Sequence, residues 1–408
     1  MDFFKVVSVE EARKRLIDNF PNFKLKVEEV EILNSVDRVL AQDVLSDVDV
    51  PQFSRSTVDG YAINSLDSHG ASESMPTFLD LIGEVRMGEK TDIVVSSGMA
   101  VYVPTGGMLP EGADAVVMIE HVEKLDEDTI AVYKPVSNGE NLILKGDDIR
   151  NGEASLTKGQ KVRPQDIGVM AAIGIFKVKV YCKPKFYIIS TGDEIIDIYE
   201  KLEMGKIRDI NGYTLYSMIE KLGGEIVEKV IVKDNFDLLA KEVEKGIRLS
   251  DIVLISGGSS VGTRDYTYDV INSFKGKGVF VHGISIKPGK PTLIGEAEGK
   301  AVFGLPGHPV SSIIVFKAIV EHFVKSIMGI KEDVNKTNAI IDFNFHSSPG
   351  KETYQMVSLE ERRSRLYAVP SFGKSGMITL LSKSNGYVII KSYEEGLNKG
   401  EEREVYFI

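Results

Sequence analysis

From Lys185 onward the chain alternates short apolar runs with amphipathic segments, and this alternation restricts the fold more than any other feature. The runs Lys185–Ser190, Glu225–Val232 and Asp251–Ser256 are rich in Ile and Val, which is typical of strands buried on both faces. The segments between them, Asn211–Leu222 and Phe236–Ile247, carry apolar residues at helical spacing. Strands that alternate with helices predict βαβ units and therefore a parallel sheet.

A loop of small residues follows the strand Asp251–Ser256, where the chain reads SGGSSVGTRD. At the carboxyl end of a parallel strand, such a loop offers backbone N–H groups and hydroxyls to a bound anion. The alternative is a tight strand-to-helix turn with no ligand, because Gly is the default turn residue. The loop residues predicted to hold an anion are Ser256, Gly257, Gly258, Ser259, Ser260 and Gly262.

Carboxylates follow three successive predicted strands. Glu194 comes after the first strand, Asp234 after the second and Asp265 after the third. Parallel strands end at the same edge of a sheet, so we expect these acids to converge there. Their oxygens are the ligands that Mg²⁺ prefers. Asp148, beside Asp147 in a turn-rich stretch, is a further candidate ligand, although the alternative for a surface carboxylate is that it simply faces water.

Two lysines alternate with prolines in the segment KPGKP, residues 287–291. Because proline fixes the backbone, we expect Lys287 and Lys290 to be held in place as a phosphate clamp. Further on, the turn Pro306-Gly307-His308-Pro309 leads from a buried strand into a helix. His308 is either an acid/base group or, as is commoner for a turn histidine, a hydrogen-bonding or surface residue.

Outside this region the pattern indicates β structure. Short strands punctuated by Gly between about Thr77 and Pro135 predict a small sheet or barrel. Asp59, in an Asp-Gly turn, and Thr105, in the loop PTGG, are candidate binding residues that also fit ordinary turns. Residues 331–339 are interpreted as a linker, followed by a small all-β domain.

Composition excludes several classes of protein. Asp and Glu number 60 against 49 Lys and Arg, a net charge of -11 that argues against general nucleic-acid binding. The single cysteine, Cys182, excludes an intramolecular disulfide and a Cys-rich zinc site. No signal-peptide core or membrane-spanning stretch is present in the sequence, so we expect a cytoplasmic protein.

Several motifs in the same order carry a family resemblance. They are DGYA (59–62), PTGG with PEGADAVV (104–117), STGDE (190–194), SGGSSVGTRD (256–265), KPGKP (287–291) and GLPGHP (304–309). From Val9 to its last residue the chain resembles the MoeA-type molybdopterin molybdenumtransferases, the family that includes the E domain of gephyrin. Each motif alone is weak, but six in the right order make the resemblance specific.

The resemblance implies a multi-domain α/β plus β protein. Its parts would be an N-terminal mixed linker domain (residues 1–48 with 138–182), a β-rich insert domain (49–137), a central MogA-like molybdopterin-binding α/β domain with a mostly parallel sheet (183–328) and a small C-terminal β-barrel-like domain (329–408). It also implies an elongated homodimer with an active site shared between the subunits. The implied reaction is hydrolysis of adenylylated molybdopterin with insertion of molybdate into its dithiolene and release of AMP, assisted by Mg²⁺ or a similar divalent cation.

The resemblance assigns a role to each matching residue. The implied catalytic residues are Asp234, Asp265, Glu194 and Asp59, and the implied metal ligands are Glu194, Asp234, Asp265 and Asp148. The implied cofactor-binding residues are Thr105, Ser256, Gly257, Gly258, Ser259, Ser260, Gly262, Lys287, Lys290, Pro306, Pro309 and Ser375. The implied protein partners are the molybdopterin adenylyltransferase and the molybdoenzymes that receive the cofactor.

Three positions depart from the family pattern. Ile143 and Lys351 stand where the family usually has Arg, and His308 stands where it commonly has Asn. Loss of Arg removes bidentate anion recognition, which leaves the choice between molybdate and tungstate open. A non-catalytic scaffold protein of the same fold and an adenylyl transferase are the alternative functions.

Overall fold

The structure is a computed structural model that describes residues 6–257, 266–330 and 335–408. Within these ranges the chain builds three six-stranded sheets and several two-stranded ribbons. The predicted site residues Gly258, Ser259, Ser260, Gly262 and Asp265 lie outside the described residues, so their roles stay predictions.

The first part of the chain, up to residue 181, is mainly β structure. The elements in chain order are α1 (Val9–Asn19), β1 (Val27–Glu31), β2 (Val44–Leu45), β3 (Arg55–Ser56), β4 (Gly60–Ile63), β5 (Thr77–Glu84), β6 (Met99–Val103), β7 (Ala115–Met118), β8 (Val122–Lys124), β9 (Thr129–Val132), β10 (Leu142–Ile143), β11 (Ala154–Leu156), α2 (Pro164–Ala172) and β12 (Lys177–Tyr181). Three short 3₁₀ turns lie among them, at Ile32–Asn34, Ser65–Ser68 and Ile119–His121.

Two ribbons join the start of the chain to residues that follow the β-rich region. Strand β1 pairs antiparallel with β12, and β2 pairs antiparallel with β11. Between them, six strands form one sheet in the order β7-β4-β6-β5-β9-β8. The sheet between about Thr77 and Pro135 is therefore confirmed, whereas the residue limits of the domains stay predictions.

The middle of the chain alternates strands and helices, as predicted. Its elements are β13 (Lys185–Thr191), β14 (Ile195–Ile196), β15 (Ile207–Arg208), α3 (Ile210–Leu222), β16 (Glu225–Val232), α4 (Phe236–Leu249), β17 (Ile252–Ser256), α5 (Tyr266–Ser273), β18 (Gly278–His282), β19 (Ile286–Lys287), β20 (Leu293–Ala297), β21 (Lys300–Leu305), α6 (Pro309–Val315) and α7 (Glu321–Met328). A π-helical turn, Phe316–Val320, joins α6 to α7.

Capping residues explain where these helices begin and end. The side chain of Asp209 accepts the Gly212 N–H at the start of α3, and Asn235 accepts the Leu238 N–H at the start of α4. Helix α3 ends at Gly223, whose φ of 87° lies in the left-handed region that favours glycine.

Six strands build the central sheet in the order β16-β13-β17-β21-β20-β18. The first four strands are parallel, while β20 and β18 run antiparallel to their neighbours. Every residue of β17 is buried, because one hydrophobic cluster covers each face of the sheet. The prediction of a mostly parallel sheet is confirmed.

The last part of the chain forms a closed β-barrel. Its elements are β22 (Lys336–Ile341), β23 (Phe345–His346), β24 (Glu352–Arg362), β25 (Arg365–Pro370), α8 (Ile378–Ser382), β26 (Gly386–Ile390), β27 (Gly396–Leu397) and β28 (Glu402–Phe407). The order β24-β25-β22-β28-β26 closes because β26 also pairs with β24. The predicted barrel-like domain is confirmed.

One sequence interpretation is wrong. Residues 331–339 were expected to form a linker, but residues from Lys336 onward belong to β22, which pairs antiparallel with β28. Ala339 and Ile341 are buried in the core of the barrel, so their burial outweighs the polar character of the preceding residues.

None of the helices in the described part of the chain is long and apolar enough to cross a membrane.

Phe303 in β21 tests the packing of the central core. Its side chain is fully buried, with its ring centroid 6.2 Å from that of Phe323. We expect Phe303→Ala to lower the free energy of unfolding by about 3–5 kcal/mol, because the lost ring leaves a cavity. Chemical denaturation measures this loss. The control Phe176→Ala removes a ring that is 72% exposed and should change the free energy by less than about 0.5 kcal/mol; equal losses would contradict the packing.

Candidate functional site

Four parallel strands end along one edge of the central sheet, and most of the described candidates lie there. Strands β13, β16, β17 and β21 end at Thr191, Val232, Ser256 and Leu305. In open α/β sheets, ligands bind in the crevice outside these carboxyl ends. The turns that follow the four strands are therefore the walls of the candidate site.

Two of the predicted acids follow neighbouring strands. The Thr191 hydroxyl donates a hydrogen bond to Asp234 Oδ1 at 2.7 Å. Glu194 lies in the turn after β13, where its carboxylate folds back over Gly192: a Cβ on that glycine would lie 2.8 Å from Glu194 Oε2. The strand order thus places both acids at the same edge, as predicted.

Ser256 and Gly257 begin the glycine-rich loop. Ser256 is buried, and the Gly257 N–H points to the Leu305 carbonyl at 3.4 Å. Gly257 has a φ of 102°, and a Cβ there would lie 2.1 Å from the Thr191 carbonyl oxygen. Only glycine fits this position, because both the backbone conformation and the close approach exclude a side chain.

Asn211 is a site residue that the sequence analysis missed. Its amide nitrogen donates to Ser256 Oγ and to the Gly307 carbonyl, each at 2.8 Å. It therefore ties the glycine-rich loop to the turn after β21. Among the described residues its Oδ1 is buried and has no hydrogen-bond partner. No signal in the sequence distinguishes it from an ordinary polar residue at a helix start.

An ionic network holds the start of helix α3, the helix that carries Asn211. Lys229 contacts the carboxylates of Asp209 at 3.1 Å and Asp197 at 3.3 Å, and the Ser190 hydroxyl donates to Asp209 at 2.8 Å. Burial disfavours the charged amine, but its hydrogen bonds to the two carboxylates raise the pKa of Lys229 above its ordinary value. The ammonium also lies 4.2 Å from the ring centroid of Tyr213.

The KPGKP segment packs against the helix that follows β21. Gly289 has a φ of 126°, and a Cβ there would lie 2.6 Å from a methyl carbon of Val315 in α6. The Lys290 carbonyl accepts the Ile284 N–H at 3.0 Å. The backbone of the segment is thus held, while the side chains of Lys287 and Lys290 are exposed.

The turn after β21 meets the C-terminal part of the chain. Ser375 Oγ lies 2.9 Å from His308 Nδ1, and the Val310 N–H donates to the Ser375 carbonyl at 3.1 Å. Of the two roles considered for His308, the structure shows the hydrogen-bonding one. Pro306 and Pro309 flank this histidine, and Pro309 is the first residue of α6.

Asp59 and Thr105 contact each other in the β-rich sheet region. The N–H and the hydroxyl of Thr105 donate to Asp59 Oδ1 at 2.7 and 3.1 Å. The Asp59 carbonyl accepts the Ile119 N–H at 3.0 Å. The two candidates form one exposed pair, although 46 residues separate them in the chain.

The predicted metal ligands do not form a complete metal site among the described residues. Asp148 is exposed in a turn, and its backbone N–H donates to the Val50 carbonyl. Within the described ranges, no group of three or more His, Cys, Asp or Glu side chains is arranged to hold a metal ion. Glu194, Asp234 and Asp148 therefore do not form a metal site by themselves, and the predicted fourth ligand, Asp265, lies outside the described residues. The metal site stays a prediction.

Two of the departures from the family pattern also have defined positions. Ile143 pairs with Arg55 across the ribbon β10–β3, so an arginine is the cross-strand neighbour of the position where the family usually has Arg. Lys351 is exposed in the turn before β24.

Comparisons with known proteins identify the class of this chain. Residues 7–174 match the model of the MoeA N-terminal region (domain I and II), residues 187–326 match a probable molybdopterin binding domain, and residues 338–408 match the MoeA C-terminal region (domain IV). The fold and the crevice at the sheet edge thus define a multidomain protein with a molybdopterin-binding type of α/β domain.

Relatives over the whole length identify the family. The chain is 33% identical to a molybdopterin molybdenumtransferase of Staphylococcus aureus and 30% identical to that of Staphylococcus epidermidis, covering 97% of this chain and 94% of each relative. Two crystal structures of molybdopterin biosynthesis MoeA protein from Pyrococcus horikoshii each match 99% of this chain. The first is 38% identical, with a TM-score of 0.82 and 99% of its own chain covered. The second is 34% identical, with a TM-score of 0.86 and 100% of its own chain covered. The chain belongs to the MoeA family, which confirms the resemblance.

Lys229 tests whether the ionic network holds the site region together. We expect Lys229→Met to lower the free energy of unfolding by about 3–5 kcal/mol, because it leaves the buried Asp209 carboxylate unpaired. Since the pKa of Lys229 is raised, its contribution is present at neutral pH and is lost as the pH rises through that pKa.

Denaturant unfolding at neutral pH measures this loss. The matched control is Lys185→Met, which breaks the Lys185–Glu225 pair, 3.8 Å apart and about half exposed on both sides. That change should cost less than about 1 kcal/mol. A Lys229→Met variant as stable as this control would show that the network does not stabilise the domain.

Proposed function

We propose that the protein is a molybdopterin molybdenumtransferase of molybdenum cofactor biosynthesis. The observation that carries the proposal is the sheet edge in residues 187–326, the part that matches a probable molybdopterin binding domain. There the Thr191–Asp234 pair and the Asn211–Ser256 contact lie at the ends of adjacent parallel strands. The relatives named molybdopterin molybdenumtransferase support the same activity.

The proposed substrate is adenylylated molybdopterin, and molybdate is the second substrate. Water attacks one phosphorus of the diphosphate linkage, its P–O bond breaks and AMP leaves. The two dithiolene thiols of the pterin then bind molybdenum, while one oxide of molybdate takes their two protons and leaves as water. Asp234 is held by Thr191 and accepts a proton from the attacking water. Lys287 and Lys290 are exposed beside α6 and attract the oxyanions of both substrates.

The glycine-rich loop holds the phosphate side of the pterin in this proposal. Ser256 and Gly257 start the loop at the strand end, and the sequence adds Gly258, Ser259, Ser260 and Gly262. The left-handed backbone of Gly257 allows the chain to turn directly against Thr191. Pro306 and Pro309 belong to the neighbouring turn after β21, which Ser375 contacts through His308.

Mg²⁺ or a similar divalent cation is proposed as the cofactor. Carboxylate oxygens suit this ion, and Glu194 and Asp234 are the two proposed ligands described at the sheet edge, with Asp265 as a third. When bound, the ion would neutralise phosphate charge. Asp148 is the weakest of the proposed ligands, because it lies in a turn next to Val50.

A homodimer with a shared site is part of the proposal. Asp59 and Thr105 form an exposed pair on the β-rich region, and exposure leaves them accessible to a second subunit. We propose that each subunit lends this pair to the site of its partner. The proposed protein partners are the molybdopterin adenylyltransferase and recipient molybdoenzymes, in the cytoplasm, without nucleic acid or membrane.

Release of AMP tests the activity. Purified protein incubated with adenylylated molybdopterin, Mg²⁺ and molybdate should release AMP and form the molybdenum-loaded pterin. We expect Asp265→Asn to lower the rate by about 100-fold or more, because it removes a proposed acidic ligand while keeping the size of the side chain. Chromatography of the nucleotide measures both rates.

Three outcomes would each contradict a different part of this assignment. Wild-type protein that releases no AMP with molybdate or with tungstate would rule out the transferase and favour the scaffold alternative. An Asp265→Asn variant with unchanged turnover would rule out the role of that carboxylate. Release with tungstate alone would show that the metal, and not the reaction, was wrongly assigned.

Mixed dimers test the shared site. Asp59→Asn and Asp234→Asn should each abolish most AMP release, since they alter opposite halves of one site. Unfolding and refolding an equal mixture yields dimers of which about half carry one subunit of each kind, and one site in each such dimer is intact. We expect activity to return to about one quarter of wild type. If the mixture contains mixed dimers and stays inactive, the site lies within a single subunit.

A further inference from the structure

His308 and Ser375 join two segments that are 67 residues apart in the chain. The 2.9 Å contact between His308 Nδ1 and Ser375 Oγ lies next to a backbone hydrogen bond from the Val310 N–H to the Ser375 carbonyl. His308 is exposed and Ser375 is half-buried. Because the backbone of both segments is held, the two side chains keep a fixed separation, and the ring can still exchange protons with water.

The turn that carries His308 is connected to two parts of the proposed site. Gly307, which precedes the histidine, accepts a hydrogen bond from Asn211, and Asn211 also donates to Ser256. Helix α6 starts directly after the histidine, and the KPGKP segment packs on it through Gly289 and Val315. The His308–Ser375 pair is therefore tied to the end of β17 and to the helix on which the lysine segment packs.

The proton on Nδ1 decides what the hydroxyl can do. In the neutral tautomer with its proton on Nε2, Nδ1 accepts a hydrogen bond from the Ser375 hydroxyl, whose oxygen can then only accept. In the neutral tautomer with its proton on Nδ1, and in the imidazolium, Nδ1 donates to Ser375 Oγ and the hydroxyl hydrogen is available to another acceptor. Only the imidazolium combines that available donor with a positive charge.

We propose that His308 is a positioning residue that, when protonated, turns Ser375 into a hydrogen-bond donor for a tetrahedral dianion in the crevice. The inference rests on the proposed function, in which molybdate and the phosphate of released AMP are both such dianions. Binding of the dianion is then coupled to uptake of a proton and becomes stronger as the pH falls. Asparagine at this turn position would hold Ser375 without this coupling.

The elements around His308 carry other charged groups. They are Lys374 next to Ser375, Lys287 and Lys290 on the segment that packs on α6, and Asp209 at the start of α3. Asp209 is paired with Lys229. The lysines have the charge that attracts a dianion, and a protonated His308 adds to it.

Calorimetric titration of the full-length protein with molybdate alone tests the proposal. We expect wild-type protein to bind molybdate about ten-fold more tightly at about pH 6 than at about pH 8, the range in which imidazole changes charge. His308→Asn should show less than about a two-fold change over the same range. Repeating the titration near neutral pH in buffers of different ionisation enthalpy should show proton uptake by the wild type and none by the variant.

Three further variants separate positioning from structure. His346→Asn changes an exposed histidine of the C-terminal barrel and should keep the wild-type pH dependence. Ser375→Ala keeps the ring but removes the hydroxyl, and should lose most of the gain at low pH. His308→Gln replaces His308→Asn if the latter fails to fold. The protonation of molybdate itself is common to all of these proteins, so their differences report on the ring and the hydroxyl.

A second ligand identifies which dianion the pair serves. AMP alone replaces molybdate in the same titrations, and a gain that depends on His308 for AMP only would assign the pair to the phosphate end of the substrate. If wild type and His308→Asn have the same pH dependence for both ligands, the proposal is wrong. The proposed transferase activity does not depend on that result, because AMP release from adenylylated molybdopterin is measured separately. If instead no AMP is released but anion binding still tightens at low pH in a way that depends on His308, the transferase is refuted and the anion site is kept.

Discussion

The parallel register of four strands is the constraint on which the site depends. Thr191 is level with Val232, Ser190 with Ser256, and Ser256 with Leu305, so the four strands end within one residue of each other. A slip of one residue would turn every side chain of a strand to the other face. Since both faces are packed with apolar side chains, such a slip is strongly opposed. The hydrophobic core therefore fixes the relative positions of the polar turns.

Polar contacts then convert this level edge into a defined crevice. Lys229, on the edge strand β16, holds Asp209, and Asp209 caps the helix α3 that carries Asn211. Asn211 in turn bridges the ends of β17 and β21. The buried ammonium of Lys229 thus fixes, through Asp209, the position of the Asn211 amide at the edge of the sheet. Each partner in this series has little freedom, because an unpaired polar group at such depth is costly.

The sequence predicts the parts of the site that belong to single segments. Strand ends such as Thr191 and Ser256 follow from apolar runs, and the acids that come after them follow from counting along the chain. The contacts that cross between segments could not be predicted in this way. Asp59 with Thr105, and His308 with Ser375, are 46 and 67 residues apart, and nothing local in the sequence indicates that they meet.

The errors have a physical pattern as well. Residues 336–339 were interpreted as part of a linker because the segment is polar, yet Ala339 and Ile341 enter the barrel core while Lys336 and Asn338 are exposed. A short barrel strand that begins with polar residues alternates weakly, so composition hides it. Asn211 was missed for a related reason: a polar residue at a helix start has a local explanation, and its bridging role depends on two strands that only the folded sheet brings beside it.

The C-terminal barrel contributes to the crevice through very little surface, and this makes its contribution easy to change. One loop around Ser375 contacts the turn at His308. Elsewhere the barrel shares apolar packing with the sheet domain, because Tyr354, Met356 and Tyr387 belong to the same buried cluster as Phe303, and β19 pairs in parallel with β24. A substitution in the turn, such as histidine at a position where asparagine is common, alters the chemistry of the contact without disturbing either core. The contact between the Ser375 loop of the barrel and the His308 turn of the α/β domain is therefore the place where this fold can vary its response to anions and pH at little cost in stability.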